Sequence, residues 1–291
     1  MAMELSNLTR CHLPLLLLFL LAGSSSMALP VHPAMDRVRW QVDKVNRRGH
    51  SIGLVMSYID EATALESSGY FRPWHVLPFV DLYGRRYHIG SIRGVNVIYA
   101  LTGQRRLNAA VTVQTLIDVF TVSGIVHYGT AGSSNDSMSF GDVSVPKYLL
   151  LIQVLGHGRY PPTIQHGSKS QKDLRCNDTF CLPTTPKVVC GLKGSSADMF
   201  LDNAEYRKFL FREFGVSTVD EESAAVVMTT TSPGIPVIVF RGVSDLAGGE
   251  PTWSSTSLMN LASINALKVA VEFIATVGKQ KSTMSAGSAN N

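Results

Sequence analysis

Cysteine is scarce in this chain, with four residues in 291, and no Cys/His set has the spacing of metal ligands. A zinc site is therefore not expected. Charge is sparse as well. Charged residues make up 16% of the chain and its net charge is +4. Arg47-Arg48 and Arg105-Arg106 are isolated pairs in place of basic runs, which reads as solvated surface and not as a nucleic-acid stripe. No Gly-Lys-Ser/Thr follows a glycine loop and no GxGxxG occurs, so neither a P-loop nor a dinucleotide fingerprint is present. Internal repeats and inter-domain linkers are also missing. Past the N-terminus, no apolar run reads as long enough to anchor the chain in a bilayer.

What is there begins with an address. Arg10 precedes an apolar run over 13–22 that contains Pro14, and Ser26-Met27-Ala28 has the small-x-small form of a signal-peptidase site. A buried core helix is the alternative. The favoured reading is a secretory signal over 1–28, one domain over 29–281 and a frayed polar tail over 282–291. The mature chain would start at Leu29, be extracellular or vacuolar, and have no membrane attachment after cleavage. Cys11 would leave with the signal, so Cys176, Cys181 and Cys190 remain, an odd number. Cys176 and Cys181 flank four residues, and a small-loop disulfide between them is favoured. Cys190 follows Val188-Val189 and reads as a buried apolar thiol. Asn135-Asp-Ser137 and Asn177-Asp-Thr179 are glycosylation sequons, and they carry weight only in a secreted chain.

Hydrophobic residues make up 45% of the sequence, enough for a sizeable core. Strands are expected over 52–57, 76–82, 86–92, 95–101, 124–128, 143–154, 188–192 and 236–240. Helices are expected over 61–68, 107–122, 204–214, 222–230 and 255–277, with a long loop over 156–186. Strands alternating with helices argue for α/β architecture.

Polar clusters sit where these apolar runs end, the edge at which open α/β sheets bind ligands. Tyr128-Gly-Thr-Ala-Gly132 reads as a strand entering a glycine turn, whose N–H groups face either a ligand or nothing in particular. Glu221-Glu222 meets small apolar residues at a helix start. It is a helix cap or a carboxylate that takes both hydroxyls of a ribose. Ser244-Asp245 follows an apolar strand. Asp245 is a loop residue, or else an acid whose pKa burial raises so that it can donate a proton. Glu61, after the first strand, could activate water on the far face of a scissile bond.

In this order the motifs resemble the nucleoside phosphorylase/nucleosidase superfamily. The similarity is strongest to the branch holding methylthioadenosine/S-adenosylhomocysteine nucleosidases and the plant bark-storage and wound-inducible proteins. Val219-Asp-Glu-Glu-Ser-Ala-Ala225, Arg241-Gly-Val-Ser-Asp-Leu-Ala247 and Cys181-Leu-Pro…Pro186-Lys-Val-Val carry it best. The resemblance implies a three-layer α/β/α sandwich with a central mixed sheet, cleavage of an N-glycosidic bond, and a small-molecule nucleoside as partner. It implies that Asp245 serves the purine leaving group, Glu222 binds ribose hydroxyls and Glu61 orients water. Ser57, Thr130, Ala131 and Gly132 would line the ribose and nucleophile side, Ser244 would also bind substrate, and Phe200 would stack on the base. No metal or organic cofactor is implied, with phosphate a co-substrate only for a phosphorylase. A homo-oligomer is expected.

Three departures stand out. Phosphorylases of this group place arginines in the first loop and just before the glycine turn. Here the first loop has none and His127 holds the second position, which favours water over phosphate; Arg105 or Arg106 could substitute. Glu221 stands where nucleosidases have an apolar residue. The stretch 149–176 is shorter than in the plant relatives. A phosphate-dependent nucleoside (cytokinin riboside) phosphorylase is one alternative, and a storage protein that has lost catalysis is the reading from a different class.

Overall fold

The structure, a computed structural model, describes residues 33–151, 154–159, 181–182, 184–249 and 256–288. The chain divides into two compact units, Met1–Trp40 and Gln41–Asn291. The expected signal and its cleavage site lie outside the described residues. Helix α1 (Pro33–Asn46), not anticipated from the sequence, runs across the division. At its end Asn46 donates to the Val119 carbonyl at 3.0 Å and accepts from the Thr121 N–H at 2.9 Å.

The second unit is built on one mixed sheet. Its first strand, β1 (Ser51–Met56), is buried along its whole length, which explains its unbroken apolar run. It lies parallel to both β5 (Val95–Leu101) and β6 (Val122–Ser133). β4 (Arg85–Ile92) adds antiparallel to β5, with the short β2 (Phe71–Pro73) and β3 (Phe79–Leu82) paired to it. On the other side, β11 (Val237–Leu246) runs parallel to β6. Beyond it come β7 (Val143–Leu151), β9 (Val188–Ser196) and β10 (Val216–Asp220). β10 then turns back to pair antiparallel with the end of β6, at Ser133 and Gly132. Five strands thereby close into a ring.

Helices cover both faces of β1. Ile52, Leu54 and Met56 pack with Ala62 and Leu65 of α2 (Ile59–Ser67) and with Ala266, Ala270 and Ile274 of α6 (Thr256–Ser288). Each buried Leu, Ile or Met among these contributes about 1.5–3 kcal/mol. The opposite face is shut at Gly53, where a Cβ would meet Ile125 of β6 and Leu116 of α3 (Arg106–Val119) at 2.5 and 2.7 Å. α3 in turn packs on α5 (Ser223–Thr231). Helix α4 (Ala204–Phe214) begins with Asn203 accepting from the Tyr206 N–H and ends on Gly215 in the left-handed conformation.

Several boundaries differ from the sequence reading. The single strand expected over 143–154 is a hairpin of β7 and β8 (Val154–Arg159), so 156–159 are strand and not loop. Residues 282–288, expected as a frayed tail, continue α6. The strand expected over 76–82 shrinks to β3. Leu258–Gln280 is long and apolar enough to cross a membrane, contrary to the expectation from sequence, although Leu261, Ala266, Ala270 and Ile274 within it are buried in this unit's core. Cys181 is disulfide-bonded, and its expected partner Cys176 lies outside the described residues. Cys190 is an exposed free thiol, not a buried one, because the first half of β9 lies open to solvent.

Candidate active site

The carboxyl ends of β1, β6, β10 and β11 meet around one cavity of about 510 Å³. Thr130, Ala131 and Gly132 line it from β6, Ser244 and Asp245 from β11, and Glu221 and Glu222 from the turn after β10. Tyr58 and Phe200 complete the part that matters here. Phe200 is 68% exposed and stands at the mouth. Of the candidates from sequence, only Glu61 and Ser57 are absent from the walls.

Glu61 lies in the first turn of α2 and is 1% exposed. Its Oε2 accepts from the N–H groups of Ser57 at 2.8 Å and Tyr58 at 3.1 Å. Its Oε1 accepts from the Thr130 N–H at 2.7 Å, with the Thr130 hydroxyl at 3.3 Å. The carboxylate therefore reaches the cavity through Thr130. Ser57 serves it with a backbone N–H, while the Ser57 hydroxyl turns away to accept from Thr102 at 3.1 Å.

The segment from 128 to 132 is no turn. β6 runs on through Ser133, and its glycines act by allowing close approach. A Cβ on Gly129 would collide with the Arg241 guanidinium and the Glu61 carboxylate. One on Gly132 would sit 2.9 Å from Oδ1 of Asp245. Asp245 likewise belongs to a strand, not a loop. The Ser244 hydroxyl donates to its Oδ2 at 2.7 Å, leaving Oδ1 directed along Gly132. Burial raises its pKa, against the Ser244 hydrogen bond.

Glu222 precedes α5 yet does not cap it. That task falls to Asp220, whose Oδ1 accepts from the N–H groups of Glu222 at 3.0 Å and Ser223 at 2.9 Å. Glu222 is left to face the cavity. Its Oε1 accepts from the Arg105 N–H at 2.8 Å, and burial pushes its pKa up to about 7 despite the Arg241 charge. Burial, with Glu221, Glu222 and Glu61 nearby, pushes the Tyr58 phenol up to about 12.

Sequence reading missed the centre of this arrangement. Arg241 is fully buried. Its Nε lies 3.0 Å from Asp220 Oδ2 and donates to the Ser223 hydroxyl at 2.9 Å. Nη1 donates to the Thr130 carbonyl at 3.3 Å, and Nη2 faces Glu222 at 3.5 Å. Nη2 also donates to Nε2 of His127, whose Nδ1 lies 3.1 Å from the Val55 carbonyl. His127 is thus an acceptor for Arg241, not an anion ligand. Burial and the guanidinium lower its pKa to about 3. The signal was available, since an arginine opening a motif inside an apolar strand must be paired. Arg105 and Arg106, the other phosphate candidates, both bind Asp198. Arg105 donates to its carbonyl at 3.1 Å and Arg106 to its carboxylate at 2.5 Å. Asn135 is half-buried, and its Oδ1 accepts from the Ser137 N–H and hydroxyl. Asn177 lies outside the described residues, as does most of 149–176.

Bark storage protein B of Populus deltoides is 31% identical over 278 residues, covering 78% of this chain and 88% of that protein. A 5'-methylthioadenosine/S-adenosylhomocysteine nucleosidase of Treponema pallidum is 26% identical, over 57% of this chain and 72% of that one. Among solved structures, the nucleosidase of that name from Helicobacter pylori, with butyl-thio-DADMe-Immucillin-A, superposes with a TM-score of 0.59. It is 22% identical and covers 77% of this chain and 98% of its own. A family model described as Phosphorylase superfamily matches residues 53–275, the stretch that carries every wall of the cavity described above, and this chain belongs to that superfamily.

Proposed function

We propose that this protein cleaves the N-glycosidic bond of purine-type nucleosides, with water as nucleophile. The observation that carries the reading is the convergence of Asp245 and Glu222 on one cavity, with Glu61, itself outside the lining, bonded to Thr130 of its wall. Asp245, whose pKa burial raises, donates a proton to the purine as the bond to the sugar breaks and the base takes the electron pair. The sugar passes through an oxocarbenium-like state, and Glu222 holds its hydroxyls. Water oriented by Glu61 adds to the sugar carbon and gives up a proton to that carboxylate, leaving free base and free sugar. Phe200 supplies an aromatic face for the base. The nucleosidase named among the relatives supports this reading.

A phosphorylase is favoured less. Arg241 is engaged on every side, and among the described residues no basic side chain lines the cavity. The kinship with a bark storage protein supports a second reading, a storage protein with a silent site. We further take the chain to be a secreted or vacuolar homo-oligomer with glycans at Asn135 and Asn177, a Cys176–Cys181 bridge and a three-layer α/β/α sandwich.

The test is base release by the full chain from a secreting host, on a panel of purine ribosides with and without phosphate. Release without phosphate is expected, and Asp245→Asn should lower kcat by about 10²–10⁴-fold. Strict phosphate dependence would instead establish a phosphorylase, and no release from folded protein would favour storage.

A further inference from the structure

Glu221 has no part in the chemistry above, yet its setting calls for a ligand. It is 8% exposed and lines the cavity. Among the described residues its carboxylate has no hydrogen-bond or ion-pair partner. Its neighbour Glu222 engages Arg105 and Arg241, and Asp220 engages Ser196, Ser223 and Arg241. Burial raises the pKa of Glu221 and the nearby Arg105 charge lowers it. Unbonded and facing the cavity, the carboxylate is placed to accept from a ligand, and a ligand that displaces water without donating to it leaves it unpaired.

The cavity has two chemical ends. Asp245 interacts electrostatically with Asp202. Tyr58 interacts instead with Glu221, Glu222 and Glu61, and with the Arg105 charge. On the reading proposed above, the second end holds the sugar, so Glu221 meets a sugar substituent beyond the hydroxyls that Glu222 takes. The carboxylates of Glu221 and Glu222 disfavour an anionic substituent there, and Arg105, which acts on Glu221, is not among the lining residues. A thioalkyl group is disfavoured too, since it would leave the carboxylate desolvated and unpaired.

We infer that Glu221 is a specificity residue that accepts a hydrogen bond from a free hydroxyl on the sugar, so that the substrate is an unmodified nucleoside, not a 5'-thioether or 5'-phosphate. The inference rests on the N-glycosidic reading, and the experiment separates the two.

Base release is measured for adenosine, 5'-methylthioadenosine and adenosine 5'-monophosphate, using the full chain and the variants Glu221→Met and Glu221→Gln. A hydrogen bond to a charged group is worth about 10- to 150-fold. Wild type should therefore favour adenosine over the thioether by at least about tenfold in kcat/KM and should reject the monophosphate. Glu221→Met should erase or invert the preference, and Glu221→Gln, which keeps an acceptor, should retain part of it. A wild type that cleaves the thioether as well as adenosine overturns the inference and leaves the N-glycosidic reading standing; so does a preference that Glu221→Met does not change. If wild type cleaves nothing, the N-glycosidic reading falls, and the same pairs are compared by equilibrium binding. A tenfold tighter grip on adenosine that Glu221→Met abolishes then supports Glu221 as the hydroxyl acceptor, and equal affinities overturn it.

Discussion

Two buried groups of the Arg241 cluster pull the pH dependence of stability in opposite directions. Glu222 has its pKa raised from 4.5 to about 7, chiefly by burial. Across that window the native protein holds a proton that the unfolded chain releases, so stability falls as pH rises. His127 is lowered from 6.5 to about 3. Between those values the unfolded chain binds a proton that the buried imidazole refuses, so stability rises with pH. The two slopes oppose each other from about 4.5 to 6.5, and the Glu222 decline alone remains near 7. Glu222→Gln removes that decline. Relative to wild type, the variant should gain on the order of 2–3 kcal/mol between pH 5 and pH 8, read from urea unfolding at each pH. An unchanged difference would mean that Glu222 titrates normally. At this scale the candidate acids Glu61, Glu222 and Asp245 were legible, because a carboxylate at the end of an apolar run is conspicuous. Arg241, Asp220 and His127 were not legible as a unit, because their pairing is made across strands far apart in sequence.

Elements were legible where periodicity is strong and long. Helix α4 was placed to the residue, since its cap and its closing glycine are both written in the sequence. β2 and β10, of three and five residues, offer too short a pattern to read. β6 was cut short because Gly129 and Gly132 suggest a turn. In the structure they are strand residues made small so that Arg241, Glu61 and Asp245 can approach. The same device holds α6 to the sheet. A Cβ on Gly242 of β11 would overlap the Ala262 carbonyl of α6. That obstacle is backbone and cannot rotate away. Gly242→Ala should therefore cost about 1–3 kcal/mol in denaturant unfolding, by forcing α6 off β11. Because Asp245 lies three residues further along β11, activity should fall with it. Unchanged stability would show that the helix can shift freely.

For the molecule as a whole, the open question is whether its cavity still receives a nucleoside. A storage protein needs only the scaffold: the buried β1, the ring closed by β10 on β6, and α6 across one face. None of these requires Glu222, Asp245 or Glu221 to face a common space. Ligand binding to the native state alone stabilises it by RT ln(1 + [L]/Kd), about 2.7 kcal/mol at a hundredfold excess over Kd. In a domain of this size that raises Tm by about 5–10 °C. The measurement is best made on Asp245→Asn, in which slowed turnover keeps the nucleoside intact while the sugar end, with Glu221 and Glu222, is unchanged. Adenosine should raise the melting temperature of this variant in a saturable manner, and ribose 5-phosphate should not, since it lacks a base for the Asp245 position and Phe200, and no basic side chain among the described residues lines the cavity. A variant whose melting temperature ignores every nucleoside would mean that the carboxylates converge on a space nothing enters, and would turn the reading from enzyme to scaffold.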